Sequence, residues 1–135
     1  MNREKNPRPF VLIVDDEALI RWSLSEGLSD SGYDVRMAGT GADARAELDS
    51  LAGEPLVVLL DLRLPDVSDL SLLSEIRAKR PDAPVIMMTA HGTPEDAAQA
   101  AALGVNRFVG KPFDVGEMVA LVGAAWNQHA AGGHL

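Results

Sequence analysis

The chain has no cysteine among its 135 residues, so disulfides, thiolate metal centres and cysteine nucleophiles are excluded. It is also short of positive charge: 12 Lys and Arg face 20 Asp and Glu, for a formal net charge of -8. A domain this acidic has no electrostatic reason to hold a phosphate backbone unaided, which argues against direct nucleic-acid binding. No apolar run approaches the roughly 20 residues needed to cross a bilayer. The opening MNREKNPRPF lacks the apolar centre of a signal peptide. There is no internal repeat, and the one glycine-rich turn, GTGA from Gly39 to Ala42, reads as a helix start rather than a nucleotide loop. What is there, 47% hydrophobic and 24% charged residues, fits one folded domain with a real core. The expectation is an acidic, cytoplasmic protein with no membrane contact.

Pro and Gly divide the chain into alternating strands and helices. FVLIVD (Phe10 to Asp15), LVVLLD (Leu56 to Asp61) and APVIMMTA (Ala83 to Ala90) are short apolar runs without alternation, the mark of strands buried on both faces. YDVRMA alternates and reads as a strand nearer an edge, and VNRFVG is a fifth strand. Between them, Ile20, Leu24 and Leu28 form a helical stripe, as do Ala44, Leu48 and Leu51 behind Thr40 as N-cap. Leu72, Leu73 and Ile76 mark a third helix. An alanine-rich fourth follows, with Thr93 capping and Pro94 at its first position. The fifth runs from Asp114 to Trp126 and carries Met118, Val119, Leu121 and Val122. Five strands each followed by a helix imply a doubly wound α/β fold with a five-stranded parallel sheet.

Function in such sheets collects outside the carboxyl ends of the strands, where strand order reverses. Those ends carry Asp15 and Asp16, then Asp61, Thr89 and Lys111. Each has an ordinary structural reading, since Asp after a strand is a frequent turn former or helix cap. The acidic run Asp15, Asp16 and Glu17 admits a solvated turn, a helix start or a bound cation. In a 2-1-3-4-5 strand order the three aspartates meet in one pocket beside a hydroxyl and an ammonium. Carboxylates so placed raise one another's pKa unless a cation holds them. Mg²⁺ suits the set, because it takes a few carboxylate oxygens and keeps waters that a phosphate can displace.

IVDDE, LLDLRLPD, MMTAHG and FVGKPF, in that order, resemble the receiver domains of bacterial two-component response regulators, over about Phe10 to Trp126. The resemblance implies the flavodoxin-like order 2-1-3-4-5 and Asp61 as phosphoacceptor. It also implies Mg²⁺ on Asp15, Asp16, Asp61 and the backbone carbonyl of Arg63. Thr89 matches the hydroxyl that contacts the phosphoryl group, Lys111 the residue that pairs with it and Phe108 the aromatic switch. Lys111–Pro112 matches a bond that is commonly cis. Arg63 and His91 fall where relatives line the approach of the attacking water, although His91 reads equally as a plain loop residue. Asp69 stands where many relatives have Gly, and a positive φ there would change the loop locally.

The implied partner is a sensor histidine kinase or a phosphotransfer protein, and phosphorylation would remake the surface of helix four, strand five and helix five. The apolar residues of helix five, with Trp126, exceed one buried stripe and suggest a homodimer through that face. The implied organisation is a tail over residues 1–9, a receiver over 10–126, and a tail over 127–135 that starts a linker to an output domain. MMTAHGT and ALIRWSLSEGL look most like receivers of sigma-54-dependent activators, which makes this the regulatory part of a transcriptional regulator. A stand-alone receiver acting by docking or phosphorelay is the alternative. An aspartyl-phosphate phosphohydrolase would want an acid where Arg63 stands, and a flavodoxin could not seat a phosphate against DDEA.

Overall fold

In the computed structural model, residues 8–67, 69–90 and 92–132 are described, the last three by backbone alone. The elements alternate as β1 (Phe10–Val14), α1 (Ala18–Asp30), β2 (Asp34–Ala38), α2 (Gly41–Ser50) and β3 (Leu56–Asp61). They continue as α3 (Ser71–Lys79), β4 (Val85–Thr89), α4 (Pro94–Ala102), β5 (Arg107–Gly110) and α5 (Val115–Gly132). The five strands form one parallel sheet in the order β2-β1-β3-β4-β5. This is the flavodoxin-like arrangement expected, with β3, buried at every residue, in the middle.

Strand parity explains why the central strands are apolar without alternation. Leu12, Val14, Val58, Leu60, Val85 and Met87 point to one face and join Leu48, Leu72, Leu73 and Ile76. Val11, Ile13, Val57, Leu59, Ile86 and Met88 point to the other and join Leu24, Leu28, Met118 and Val122. One sheet thus serves two cores, α2, α3 and α4 covering the first and α1 and α5 the second. Each fully buried Leu, Ile or Val contributes about 1.5–3 kcal/mol relative to exposure. The expected caps are present: Thr40 Oγ1 accepts from Asp43 N at 3.0 Å, and Thr93 and Asp96 form a reciprocal capping box ahead of α4.

Three expectations need correction. Helix α5 runs on to Gly132 instead of stopping at Trp126, and His129 stacks on Trp126 with ring centroids 5.4 Å apart. Residues 127–132 are therefore helix rather than tail, because the Trp126 ring gives the extra turn an apolar partner. Nor does α5 carry surplus apolar surface. Met118 and Val122 are buried, and Val119, Leu121 and Trp126 pack against the second core. The exposed large apolar residues among those described are Leu19, Trp22 and Met37. Finally, Asp69 has no positive φ, and its Oδ1 accepts from Ser71 N at 3.0 Å, a local turn just ahead of α3.

Candidate functional site

Register decides which residues meet. Val14 pairs with Leu60, so Asp15 and Asp61 leave neighbouring strands side by side. Asp61 pairs with Met88, next to Thr89, and Thr89 pairs with Gly110, next to Lys111. The chain stays in step beyond the ladder, for Lys111 N donates to Thr89 O at 2.7 Å. Four strand ends thus place two acids, a hydroxyl and an ammonium in one row, as the sequence led us to expect.

Lys111 is the centre of the site's charge. Its Nζ lies 2.7 Å from Asp15 Oδ2, 3.0 Å from Glu17 Oε1 and 3.3 Å from Asp61 Oδ2. Asp15 is 0% exposed and Asp61 7%, whereas Asp16 and Glu17 are open to solvent. Burial works to lower the Lys111 pKa, but the contacts with Asp15, Glu17 and Asp61 outweigh it and hold the ammonium charged. Burial raises the Asp61 pKa, and the Asp15 charge raises it further. Lys111 and the Arg63 N–H, which donates to Asp61 Oδ1 at 3.3 Å, oppose that rise.

The residues fit a hard cation. One oxygen from each of Asp15, Asp16 and Asp61 lies within 4.8 Å of the others. Asp15 Oδ1 is used by Glu17 N at 2.9 Å, so this acid is a turn former as well. Its Oδ2, although close to Lys111, has no aligned hydrogen-bond donor. Three carboxylates converging at the strand ends, two of them buried, are a donor set for an oxygen-seeking ion.

The other expected residues are placed as follows. The Lys111–Pro112 bond is cis. Phe108 is half-buried against the first core, and a Cβ on Gly92 would stand 2.5 Å from its Cε1 and 2.6 Å from Thr89 Cγ2. The ring and the Thr89 methyl therefore close over a glycine. His91 lies outside the described residues. The sequence reading met Glu17 only as part of the acidic run and did not foresee its contact with Lys111. It also passed over Leu19 and Trp22, 73% and 61% exposed. Leu19 lines an apolar groove of about 200 Å³ with Ile20, Pro112, Phe113 and Val115, next to Lys111.

Residues 11–123 match the family model described as the response regulator receiver domain. The chain belongs to that family. As a receiver it is 40% identical over 116 residues to the DNA-binding transcriptional regulator NtrC of Escherichia coli K12, a match covering 85% of this chain and 24% of that protein. The chain thus spans about a quarter of the length of the NtrC relatives it matches. A CheY-like receiver domain protein from Methanospirillum hungatei JF-1 superimposes with a TM-score of 0.84 at 25% identity, covering 91% of this chain and 97% of that one. The beryllofluoride-activated NtrC4 receiver domain dimer superimposes at 0.81 with 32% identity, covering 89% and 98%. No helix among the described residues of this receiver is long and apolar enough to cross a membrane.

Proposed function

We propose that this receiver accepts a phosphoryl group on Asp61 from the phosphohistidine of a sensor kinase or a phosphotransfer protein. The supporting observation is a carboxylate at the end of the fully buried central strand, facing Asp15 and Lys111. An Asp61 oxygen attacks phosphorus while the phosphorus–nitrogen bond breaks. The imidazole nitrogen leaves with the bonding pair and takes a proton from solvent. Phosphoryl transfer of this kind needs alignment and charge neutralisation more than covalent help. Lys111 supplies a fixed positive charge, the Arg63 N–H orients Asp61, and Thr89 offers its hydroxyl to the new phosphoryl oxygens.

Mg²⁺ fits as the cation, held by Asp15, Asp16, Asp61 and the Arg63 carbonyl, and would supply the positive charge that lets one anion approach another. Drawing Thr89 toward the phosphoryl group frees space for Phe108, which changes the face of α4, β5 and α5. Slow attack of water on the acyl phosphate returns the receiver to rest. Leu19, which lines the groove beside Lys111, and Trp22, three residues on along α1, are exposed apolar side chains suited to seating the phosphodonor.

A homodimer through α4, β5 and α5 draws support from the activated NtrC4 receiver dimer and from an open groove of about 520 Å³ bounded by Arg107, Phe108, Val109 and Leu121. Likeness to NtrC favours the cytoplasmic regulatory domain of a transcriptional regulator over a stand-alone phosphorelay receiver. Asp61→Asn, incubated with radiolabelled acetyl phosphate and Mg²⁺, should remain unlabelled, because an amide oxygen is a poor nucleophile. Labelling at the wild-type level would remove Asp61 from this role.

A further inference from the structure

The loop between β3 and α3 is anchored by a contact that the chemistry above does not use. Asp66 Oδ1 accepts from Gly41 N at 2.7 Å and Oδ2 from Ala42 N at 3.1 Å. These are the first two amides of α2, which have no acceptor inside the helix. The next two are met locally, Asp43 N by Thr40 Oγ1 and Ala44 N by Thr40 O, each at 3.0 Å. Half of the α2 N-terminus is therefore completed by a carboxylate from the loop that follows the phosphoacceptor.

The approach is close. A Cβ on Gly41 would stand 2.7 Å from Val67 Cγ2 and 3.3 Å from Asp66 Oδ1, so a side chain there would have to displace Val67. The Gly41 and Ala42 amides hold the Asp66 carboxyl below the usual carboxylate range. One turn into α2, Arg45 pairs with Glu75 of α3 through two contacts of 2.7 and 3.0 Å, tying the helices on either side of the loop together. Toward Asp61, the loop is fixed by Leu62 N on Met88 O at 3.1 Å, by Leu64 N on Val67 O at 2.8 Å and by buried Leu62 and Leu64. Arg63, exposed itself, lies between these anchors.

We infer that Asp66 is a positioning residue for cation binding. Clamped to α2, it fixes the Arg63 peptide, whose N–H supports Asp61 and whose carbonyl is the one assigned to the cation above. This rests on the Arg63 assignment proposed above. With the clamp released, the loop must be ordered when the cation binds, and that lost freedom subtracts from affinity.

The test compares Asp66→Ala and Asp66→Asn with Thr40→Ala, which weakens the same helix end without touching the loop. Mg²⁺ alone is titrated by calorimetry, and amide hydrogen exchange over residues 62–67 is followed in metal-free protein. Asp66→Ala should raise the Mg²⁺ dissociation constant about tenfold, the lower end of what loss of ligand support costs, and speed exchange in the loop. Asp66→Asn, which keeps one acceptor oxygen, should fall between. Thr40→Ala should lower the melting temperature yet leave Mg²⁺ affinity within about twofold of wild type. Equal Mg²⁺ affinities in Asp66→Ala and Thr40→Ala would overturn the inference and leave Asp66 a helix cap. Failure of the wild-type chain to bind Mg²⁺ would overturn the cation site itself, and this role with it.

Discussion

Lys111→Met removes the one ammonium that touches three carboxylates while keeping much of its apolar stem. Asp15 and Asp61, 0% and 7% exposed, are then left facing each other without their counter-charge. Breaking a buried ion pair from one side typically costs about 3–5 kcal/mol. Glu17 adds little, because an exposed carboxylate returns to water. Protonation limits the rest: the Asp61 pKa is already raised by burial and by Asp15, and without Lys111 it rises further. The low end, about 3 kcal/mol at pH 7, is therefore expected, a fall in melting temperature of about 10 °C for a domain of this size. The pH dependence has a definite sign. A carboxyl whose folded pKa exceeds its unfolded value binds more protons when folded, so its contribution is fully present in acid and lost as pH rises through the folded pKa. The variant should thus regain stability on acidification from neutrality, more than the wild type does. The wild type has a second loss, above the ordinary lysine range, because the contribution of its raised Lys111 pKa is full while the unfolded lysine is protonated and is lost as pH climbs from there through the folded pKa. The variant lacks this loss. Urea unfolding in divalent-free buffer from pH 5 to 12 would read the acid limb and the onset of the alkaline one. A variant within about 2 °C of wild type at pH 7, with the same pH profile, would refute Lys111 as the site's counter-charge.

Three further outcomes follow from the same geometry. Asp16→Ala should weaken Mg²⁺ at least tenfold in a Trp22 fluorescence titration, since it removes an anionic ligand from a hard-cation set; unchanged affinity would make the acidic run a solvated turn. Gly92→Ala should push the Phe108 ring aside, because the added methyl sits 2.5 Å from its Cε1, and unshifted Phe108 ring resonances would count against that. Leu19→Ser with Trp22→Ser should slow transfer from a protein phosphodonor about tenfold or more, if these are docking anchors, and leave labelling by acetyl phosphate unchanged; equal loss with both donors would exclude a docking role.

The fold was legible because strands buried on both faces advertise themselves. VLIV, LVVLL and VIMM admit no other economical reading, and Gly32 and Pro81 mark where helices give way. The site was legible for the same reason, as its residues end those strands and topology alone brings the ends together. What stayed hidden depends on side-chain reach. Whether Leu121 or Leu19 meets solvent is a matter of helix rotation against the sheet, and both look alike as letters in an apolar stripe. The Asp66 clamp joins segments far apart in sequence through backbone amides, which leave no residue-type signal at the receiving end. The length of α5 escaped because its last turns bury little: Gln and Ala favour helix by propensity alone, and the stack of His129 on Trp126 is a side-chain contact that the sequence does not announce.

Strand parity also separates traffic. Phe108 packs into the core beneath α2, α3 and α4, whereas its neighbour Val109 packs into the one beneath α1 and α5. The exposed Leu19 and Trp22 belong to α1, on the second side. A phosphodonor resting on α1 would thus approach from the face of the sheet opposite to the Phe108 ring, although α5 lies on its own side and lines the same groove through Val115. The ring that would respond to phosphorylation is screened by the sheet itself from whatever rests on α1.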